Sequence, residues 1–103
     1  MVLLLNAPVL DRFERRHVDA GHWIAQWRTV VGKASWQSIE DVRRIYPSAD
    51  GVKVRSGTVI TVFNVKGNEY RLLTSIFYQK QIVYVLQAMT HAEYSKNYWK
   101  KRL

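Results

Sequence analysis

The spacing of apolar residues changes at Pro47, and this change most limits what the chain can fold into. Before Pro47, apolar side chains recur every three or four residues, as on one face of a helix, and Trp23, Trp27 and Val31 are an example. After Pro47, apolar and polar residues alternate, as they do in strands buried on one face. The two patterns together predict an α+β fold.

Local signals divide the helical part of the chain. The apolar run Val2–Leu5 predicts a short buried strand. We expect Asn6 to cap the helix that follows, with Pro8 in its first turn, where the missing proline N–H costs nothing. A second helix is predicted to end near Gly32. A short third helix, capped by Ser38, must stop before Pro47.

The second part of the chain predicts strands separated by turns. Residues 48–51 and 56–57 have turn chemistry. Three antiparallel strands are expected at Val59–Phe63, Tyr70–Phe77 and Ile82–Ala88, and a helical pattern follows. The order β-α-α-(α)-β-β-β-α predicts a small antiparallel sheet with helices packed on one face and the other face free. Alternation along the second of these strands places Arg71 on a different face from Leu72.

Composition excludes several classes of protein. A chain of 103 residues fits a single domain, residues 1–103, and the absence of cysteine excludes disulfide scaffolds and thiolate chemistry. No histidine pair has ligand spacing with a third ligand nearby, so no metal site is expected. No stretch approaches the roughly 18 apolar residues of a membrane helix, and the apolar start lacks a basic region before it. We therefore expect a soluble protein that stays where it is made.

The net charge of +8 is concentrated in one half of the chain. Residues 1–50 carry seven basic and six acidic residues, whereas residues 51–103 carry nine basic and two acidic ones. A basic surface can serve solubility alone. Because the cations of the second half are largely uncompensated, the charge favours a polyanionic partner.

Arg71 and His91 are the two residues of the basic half that most suggest chemistry. Arginine is uncommon in a small sheet, and it predicts either an ion pair with Glu69 or an anion site in which the guanidinium binds a phosphate. Histidine suits proton transfer near neutral pH. The alternative is that Thr90-His91-x-Glu93 is simply a capping box.

Aromatic residues divide by position. Phe13, Trp23 and Trp27 are expected in the core. Aromatic residues of the second half alternate with lysines, and this pattern predicts either stacking on unpaired RNA bases or packing of the last helix on the sheet. The residues concerned are Tyr84, Tyr94, Tyr98 and Trp99, with Lys96, Lys100, Lys101 and Arg102.

Three segments carry a family resemblance. They are Tyr46–Asp50, the stretch Phe-Asn-Val-Lys-Gly-Asn-Glu-Tyr-Arg at 63–71, and Thr-His-Ala-Glu-Tyr at 90–94. In this order and spacing they resemble the HigB-type toxins of type II toxin–antitoxin modules, within the RelE-like superfamily. The resemblance covers nearly the whole chain.

The resemblance implies a cytoplasmic toxin that cleaves messenger RNA on the ribosome and is neutralised by a HigA-type helix-turn-helix antitoxin. The ribose 2′-OH would attack the adjacent phosphate without a metal ion or cofactor, leaving a 2′,3′-cyclic phosphate. Arg71 would stabilise the phosphate charge, and His91 or Tyr94 would transfer protons. Lys66, with Lys53 or Arg55, would hold the RNA backbone.

Two positions depart from the pattern common in relatives, since Ser95 stands where many have aspartate and Leu86 where many have arginine. The absence of that arginine would shift RNA binding toward Lys80 and the basic tail. The full set predicted to bind RNA is Lys53, Arg55, Lys66, Lys80, Tyr84, Lys96 and Lys100. Two other functions stay open: a non-catalytic RNA- or ribosome-binding module, and a degenerate toxin that acts only in an antitoxin-bound repressor complex.

Overall fold

Five strands and five α-helices make up the computed structural model, which describes residues 1–103. The elements are β1 Leu3–Leu5, α1 Pro8–Arg16, α2 Gly21–Lys33, α3 Ile39–Ile45, β2 Asp50–Lys53, β3 Val59–Val65, β4 Tyr70–Phe77, β5 Ile82–Thr90, α4 His91–Ser95 and α5 Tyr98–Arg102. The predicted α+β class is confirmed. No helix combines the length and the apolar character that crossing a membrane requires.

The strands form one sheet in the order β1-β5-β4-β3-β2. The pairs β2–β3, β3–β4 and β4–β5 are antiparallel, as predicted for the last three strands, but β1 runs parallel to β5. The sheet is therefore mixed, and the prediction of a purely antiparallel sheet was wrong in this respect. The α1–α2 pair provides part of the long connection that a parallel pairing needs. Because β1 pairs only with Ile82–Tyr84, the rest of β5 has no strand on that side.

Strand β2 lies where the sequence predicts a turn. Asp50 and Gly51 are typical turn residues, yet Asp50 pairs with Val62 and Gly51 with Thr61. The strand is at the edge of the sheet, where only one side is hydrogen-bonded and exposed polar residues discourage further pairing. Local preference was overridden by pairing with β3.

Two asparagines have roles that the sequence did not predict. Asn6 is not a helix cap: its backbone is left-handed, with φ 66°, and its side-chain Nδ2 donates a hydrogen bond to the Val85 carbonyl at 2.8 Å. It thereby ties the start of α1 to β5. Asn97, with φ 63°, divides the predicted C-terminal helix into α4 and α5. Asparagine tolerates this conformation better than most residues.

The larger core lies between the sheet and helices α1 and α2. Trp27 is fully buried and its ring contacts Phe63 edge-to-face, with centroids 5.4 Å apart. Phe13 is buried as predicted, and Trp23 is half-buried against the same core. We call this side of the sheet the helix face.

The opposite side of the sheet, here called the thin face, carries a core of six residues: Val54, Ile60, Val62, Leu73, Met89 and Trp99. The prediction of a free second face was therefore wrong at this end. The turn at Asn97 folds α5 back, so that Trp99 is only 3% exposed. Helices consequently lie on both faces, and the C-terminal pair covers the thin face where β4 begins.

Candidate functional site

Arg71 lies on the thin face at the start of β4, where it pairs with Met89 of β5. The residue is 7% exposed. Its Nη1 donates hydrogen bonds to the carbonyls of Tyr70 at 3.1 Å and Asn68 at 3.3 Å, and its Nη2 donates to Asn68 Oδ1. A buried guanidinium is thus held by neutral oxygen acceptors rather than by a carboxylate.

The expected alternative, an ion pair between Arg71 and Glu69, does not form. Asn68 occupies the end of the guanidinium that carries both Nη atoms. The adjacent edge of this planar group, with Nε–H and the second Nη2–H, makes no hydrogen bond within the protein. Two parallel donors on one edge match two oxygens of a phosphate.

Tyr94 covers Arg71 from α4. The Arg71 guanidinium carbon lies 5.4 Å from the centre of the Tyr94 ring, a cation–π distance. The ring in turn stacks on Trp99, with centroids 4.9 Å apart and planes at 16°. The indole N–H of Trp99 donates to the Tyr94 carbonyl at 2.9 Å. The Tyr94 and Trp99 rings therefore form two layers that hold the Arg71 guanidinium in position.

Burial raises the pKa of Tyr94 above its usual value of 10.0. The nearby Arg71 charge opposes this shift, and the hydroxyl is protonated at neutral pH. Of the two roles predicted for the aromatic residues, Tyr94 and Trp99 have the packing role, because their rings stack on each other within the protein. Tyr98 is 59% exposed, so both stacking on RNA bases and packing on the protein stay open for it.

His91 begins α4 at the same end of the β4–β5 pair as Arg71. Its backbone N–H donates to the Glu69 carbonyl at 3.0 Å, and its side chain is exposed. The capping box is present: Thr90 Oγ1 accepts from the Glu93 N–H and Glu93 Oε1 accepts from the Thr90 N–H, both at 3.1 Å. The Thr90 N–H lowers the pKa of Glu93. Capping orients His91 and leaves its imidazole free.

Lys66 follows β3, and its ammonium turns toward the helix face. Its Nζ donates to Asp19 Oδ2 at 2.8 Å, and the Tyr70 hydroxyl donates to Asp19 Oδ1 at 2.7 Å. The hydrogen bonds from Lys66 and Tyr70 lower the pKa of Asp19, while the bond to Asp19 raises the pKa of Tyr70 to about 12. A predicted RNA contact is therefore engaged in an internal ion pair.

Four of the other predicted RNA-binding residues lie near the C-terminal helices or the edge of the sheet. The Arg55 N–H donates to the Lys100 carbonyl at 3.1 Å, which joins the turn after β2 to α5. The Lys100 ammonium lies 5.6 Å from the centre of the Trp99 ring. Lys53 and Lys96 are exposed, in β2 and after α4. The tertiary structure thus brings Arg55 and Lys100 together.

Lys80 and Tyr84 lie away from this group. Lys80 is in the short 3₁₀ turn Tyr78–Lys80 that joins β4 to β5, about 20 Å along the strand from Arg71. Tyr84 pairs with Ser75, about 13 Å along from Arg71, and is 39% exposed. Leu86 sits at a bulge in β5 and packs against the thin-face core.

Asn68 was not predicted from the sequence as the partner of Arg71. Asn68 stands in a turn with left-handed backbone at Lys66 and Gly67, and its position three residues before Arg71 was the available signal. No group of three or more histidine, aspartate or glutamate side chains is arranged to hold a metal ion.

Comparison with known proteins gives consistent matches. Residues 20–97 match the model of a family described as HigB_toxin, the RelE-like toxic component of a toxin–antitoxin system. Three curated proteins are each 34% identical over 94 residues, covering 91% of this chain and 88% of their own length. They are the mRNA interferase toxin HigB of Escherichia coli K12 and the mRNA interferases HigB of Escherichia coli O157:H7 and Shigella flexneri. The matched range contains Arg71, His91 and Tyr94.

Proposed function

Because the chain belongs to the HigB family of RelE-like toxins, we propose that it is an endoribonuclease that cleaves messenger RNA on the ribosome. The family resemblance that the sequence motifs indicated is confirmed by the family match. The relatives of similar length are named mRNA interferases, which supports the reaction class. The observation in this chain that carries the proposal is the Arg71 guanidinium edge without an internal hydrogen bond, which lies against Tyr94 at the end of the β4–β5 pair where His91 begins α4.

Arg71 stabilises the charge that develops on the scissile phosphate. Asn68 and Tyr94 hold its guanidinium before substrate arrives, so little reorganisation is needed during the reaction. Low exposure strengthens the interaction, because few water molecules compete for the same donors. Removing one such preorganised donor typically slows a reaction by about 10²–10³-fold.

Proton transfer is divided between His91 and Tyr94. The exposed imidazole takes the proton of the ribose 2′-OH, whose oxygen then forms a bond to phosphorus. The bond from phosphorus to the 5′-oxygen breaks, and the Tyr94 hydroxyl beside Arg71 donates a proton to that oxygen. The products carry a 2′,3′-cyclic phosphate and a 5′-hydroxyl. This step needs no metal ion or other cofactor.

The flanking RNA is held by basic and aromatic residues at increasing distance from this centre. Arg55, Lys96 and Lys100 border the C-terminal helices, and Lys53 lies in the edge strand β2. The more distant proposed contacts are Lys80 and Tyr84, farther along the sheet, and Lys66, which is paired with Asp19. The ribosome positions the message at the site. This raises the effective concentration of the scissile linkage, so that a small number of catalytic groups suffices. We also propose that a HigA-type helix-turn-helix antitoxin neutralises the protein in the cytoplasm.

Induced expression with mapping of RNA 5′ ends tests this function. Wild-type protein is expected to arrest growth and to produce new 5′-hydroxyl ends within translated messages. Arg71→Ala and His91→Ala should relieve the arrest and reduce cleavage at least about 100-fold. Circular dichroism and thermal unfolding of the purified variants establish that they fold.

Two matched variants serve as controls. Arg28→Ala removes an arginine that pairs with Asp11 at 2.7 Å on the helices, and His22→Ala removes an exposed histidine of α2. Both should stay toxic. Toxicity of folded Arg71→Ala and His91→Ala equal to wild type would contradict the assigned site. RNA binding without any cleavage by wild type would instead indicate the non-catalytic binding module.

A further inference from the structure

A basic cleft outside the residues so far assigned lies between α1 and β5. It has a volume of about 370 Å³ and opens where β5 extends beyond its pairing with β1. Val9 and Phe13 contribute from the packed side of α1, while Arg12, Arg16 and His17 form one wall. The other wall consists of Leu86, Gln87, Ala88, Met89, Glu93 and Arg102.

The cleft continues toward the candidate site. A second cleft of about 210 Å³ shares Gln87, Met89, Glu93 and Arg102 with the first, so that the two form one groove. Met89 is the strand partner of Arg71. The groove therefore includes the strand position opposite Arg71 and, through Glu93, the helix that carries His91 and Tyr94.

Ion pairing leaves the α1 wall of this groove positively charged. Asp11 and Glu14, the acidic residues of α1, both face Arg28 of α2, at 2.7 and 3.8 Å. Arg12 and Arg16 are exposed and form no ion pair. Although residues 1–50 as a whole are nearly neutral, the α1 wall of the groove therefore carries positive charge that no ion pair compensates.

The opposite wall adds a third guanidinium and one carboxylate. Arg102 lines both parts of the groove and also makes no ion pair. Glu93 is committed to the N–H of Thr90 through the capping box. Arg12 and Arg16 are one helical turn apart, so both guanidinium groups reach the same side of α1.

We propose that this groove binds the sugar–phosphate backbone of the single-stranded RNA next to the cleavage point, with Arg12, Arg16 and Arg102 contacting phosphates. The proposal rests on the endoribonuclease function and extends it to the path of the substrate. Guanidinium groups suit phosphate contacts because their donors match its oxygens in pairs. RNA is favoured over an acidic protein segment because the groove is continuous with the strand position that faces Arg71.

The test measures binding separately from cleavage. The probe is a fluorescent single-stranded RNA with 2′-O-methyl groups, which lacks the attacking hydroxyl. We expect Arg12→Ala/Arg16→Ala to weaken binding by about ten- to a hundredfold. The plot of log affinity against log salt concentration should become shallower by about 0.7 for each phosphate that the variant no longer binds.

Arg15→Ala is the matched control, since Arg15 is an exposed arginine of the same helix that neither lines the groove nor pairs with a carboxylate. Arg15→Ala should leave the affinity nearly unchanged and should alter the salt slope by less than about half of the change for one phosphate. A double variant whose slope equals that of Arg15→Ala would overturn the proposal. Weakened antitoxin binding with unchanged RNA binding would also overturn it, in favour of a protein occupant.

Cleavage of translated message by the same variants separates this proposal from the function on which it rests. With both correct, the double variant raises KM and leaves kcat within about twofold. If wild type cleaves and the double variant keeps its KM and its salt slope, the groove assignment fails and the nuclease stands. If wild type does not cleave but binding still depends on Arg12 and Arg16, the nuclease fails and the groove stands.

Discussion

The two faces of the sheet differ in how much apolar surface they bury and in what they leave available. The helix face buries Trp27, Phe63 and many smaller residues beneath α1 and α2. The thin face buries six residues and relies on Trp99 for its cover. The same thin face holds Arg71, a charged side chain that a dry core would exclude.

This difference suggests that the helix face provides most of the stability and the thin face holds the candidate site. A large core on one side supplies most of the favourable burial energy, at roughly 25 cal/mol per Å² of apolar surface. The other side can then hold a cation supported by hydrogen bonds and one aromatic stack, although this arrangement adds little to stability. Substitutions on the helix face should therefore affect folding, and substitutions on the thin face should affect activity.

The largest effect is expected for Trp27→Ala on the helix face. Because the Trp27 side chain is fully buried, its truncation leaves a cavity and should lower the free energy of unfolding by about 3–5 kcal/mol. Urea denaturation measures this change. Cleavage per folded molecule should stay near that of wild type, and reduced activity in the folded fraction would contradict the division between faces.

Tyr94→Phe is the second test and concerns the thin face alone. The phenyl ring preserves the stack on Trp99 and the contact with Arg71, so that only the hydroxyl is removed. We expect cleavage to fall about 100-fold, as for removal of a general acid, with little change in the unfolding midpoint. Tyr46→Phe, at a tyrosine packed against the helix-face core, is the control and should cleave normally. Full activity in Tyr94→Phe would mean that the ring only positions Arg71.

A smaller effect is expected for Trp99→Phe. The substitution removes the indole N–H that donates to the Tyr94 carbonyl at 2.9 Å, a bond that contributes about 1 kcal/mol. Cleavage should fall several-fold because Tyr94 is less firmly held. Trp27→Phe provides a matched comparison, since the buried Trp27 indole N–H has no hydrogen-bond partner. Equal effects of the two substitutions on activity would show that Trp99 does not position Tyr94.

The smallest effect concerns the Asp19 ion pair on the helix face. Hydrogen bonds from Lys66 and Tyr70 hold the pKa of Asp19 below 3.8, so the ionised carboxylate stabilises the fold above that pH. As the pH falls below 3.8 the carboxylate becomes protonated and this stabilisation is lost. The difference in melting temperature between wild type and Asp19→Asn should therefore be positive near neutrality and shrink in acid. Glu69→Gln, at an exposed carboxylate outside the ion pairs, should show no such trend.

The elements with strong local signals were predictable from the sequence. The change of period at Pro47 predicted the α+β class, the turn at 66–68 predicted the β3–β4 connection, and Thr90 and Glu93 predicted the capping box. Strand β2 and the parallel pairing of β1 were not predictable, because both depend on partners distant along the chain. Asp50 is a typical turn residue, and nothing in its local sequence indicates that it pairs with Val62 of β3.

The residues proposed for the site could be selected from the sequence, whereas their surroundings could not. A strand arginine in a basic half, followed by a histidine at a helix start, was visible without the structure. The partner of Arg71 was not, since Asn68 and Glu69 are both close in sequence and only the turn geometry selects Asn68. Charge counting likewise showed residues 1–50 as nearly balanced, and only tertiary contacts reveal that Asp11 and Glu14 pair with Arg28 and leave Arg12 and Arg16 unpaired.

The most direct test of the central claim is the single-turnover rate at which ribosome-bound message is cleaved by Arg71→Lys. Lysine keeps the positive charge and most of the buried stem but lacks the two parallel donors of the free guanidinium edge. We predict a rate at least about 100-fold below wild type, with message binding changed only a few-fold. Arg28→Lys should cleave at the wild-type rate. A folded Arg71→Lys protein that cleaves as fast as wild type would contradict the claim that the thin face performs the reaction through Arg71.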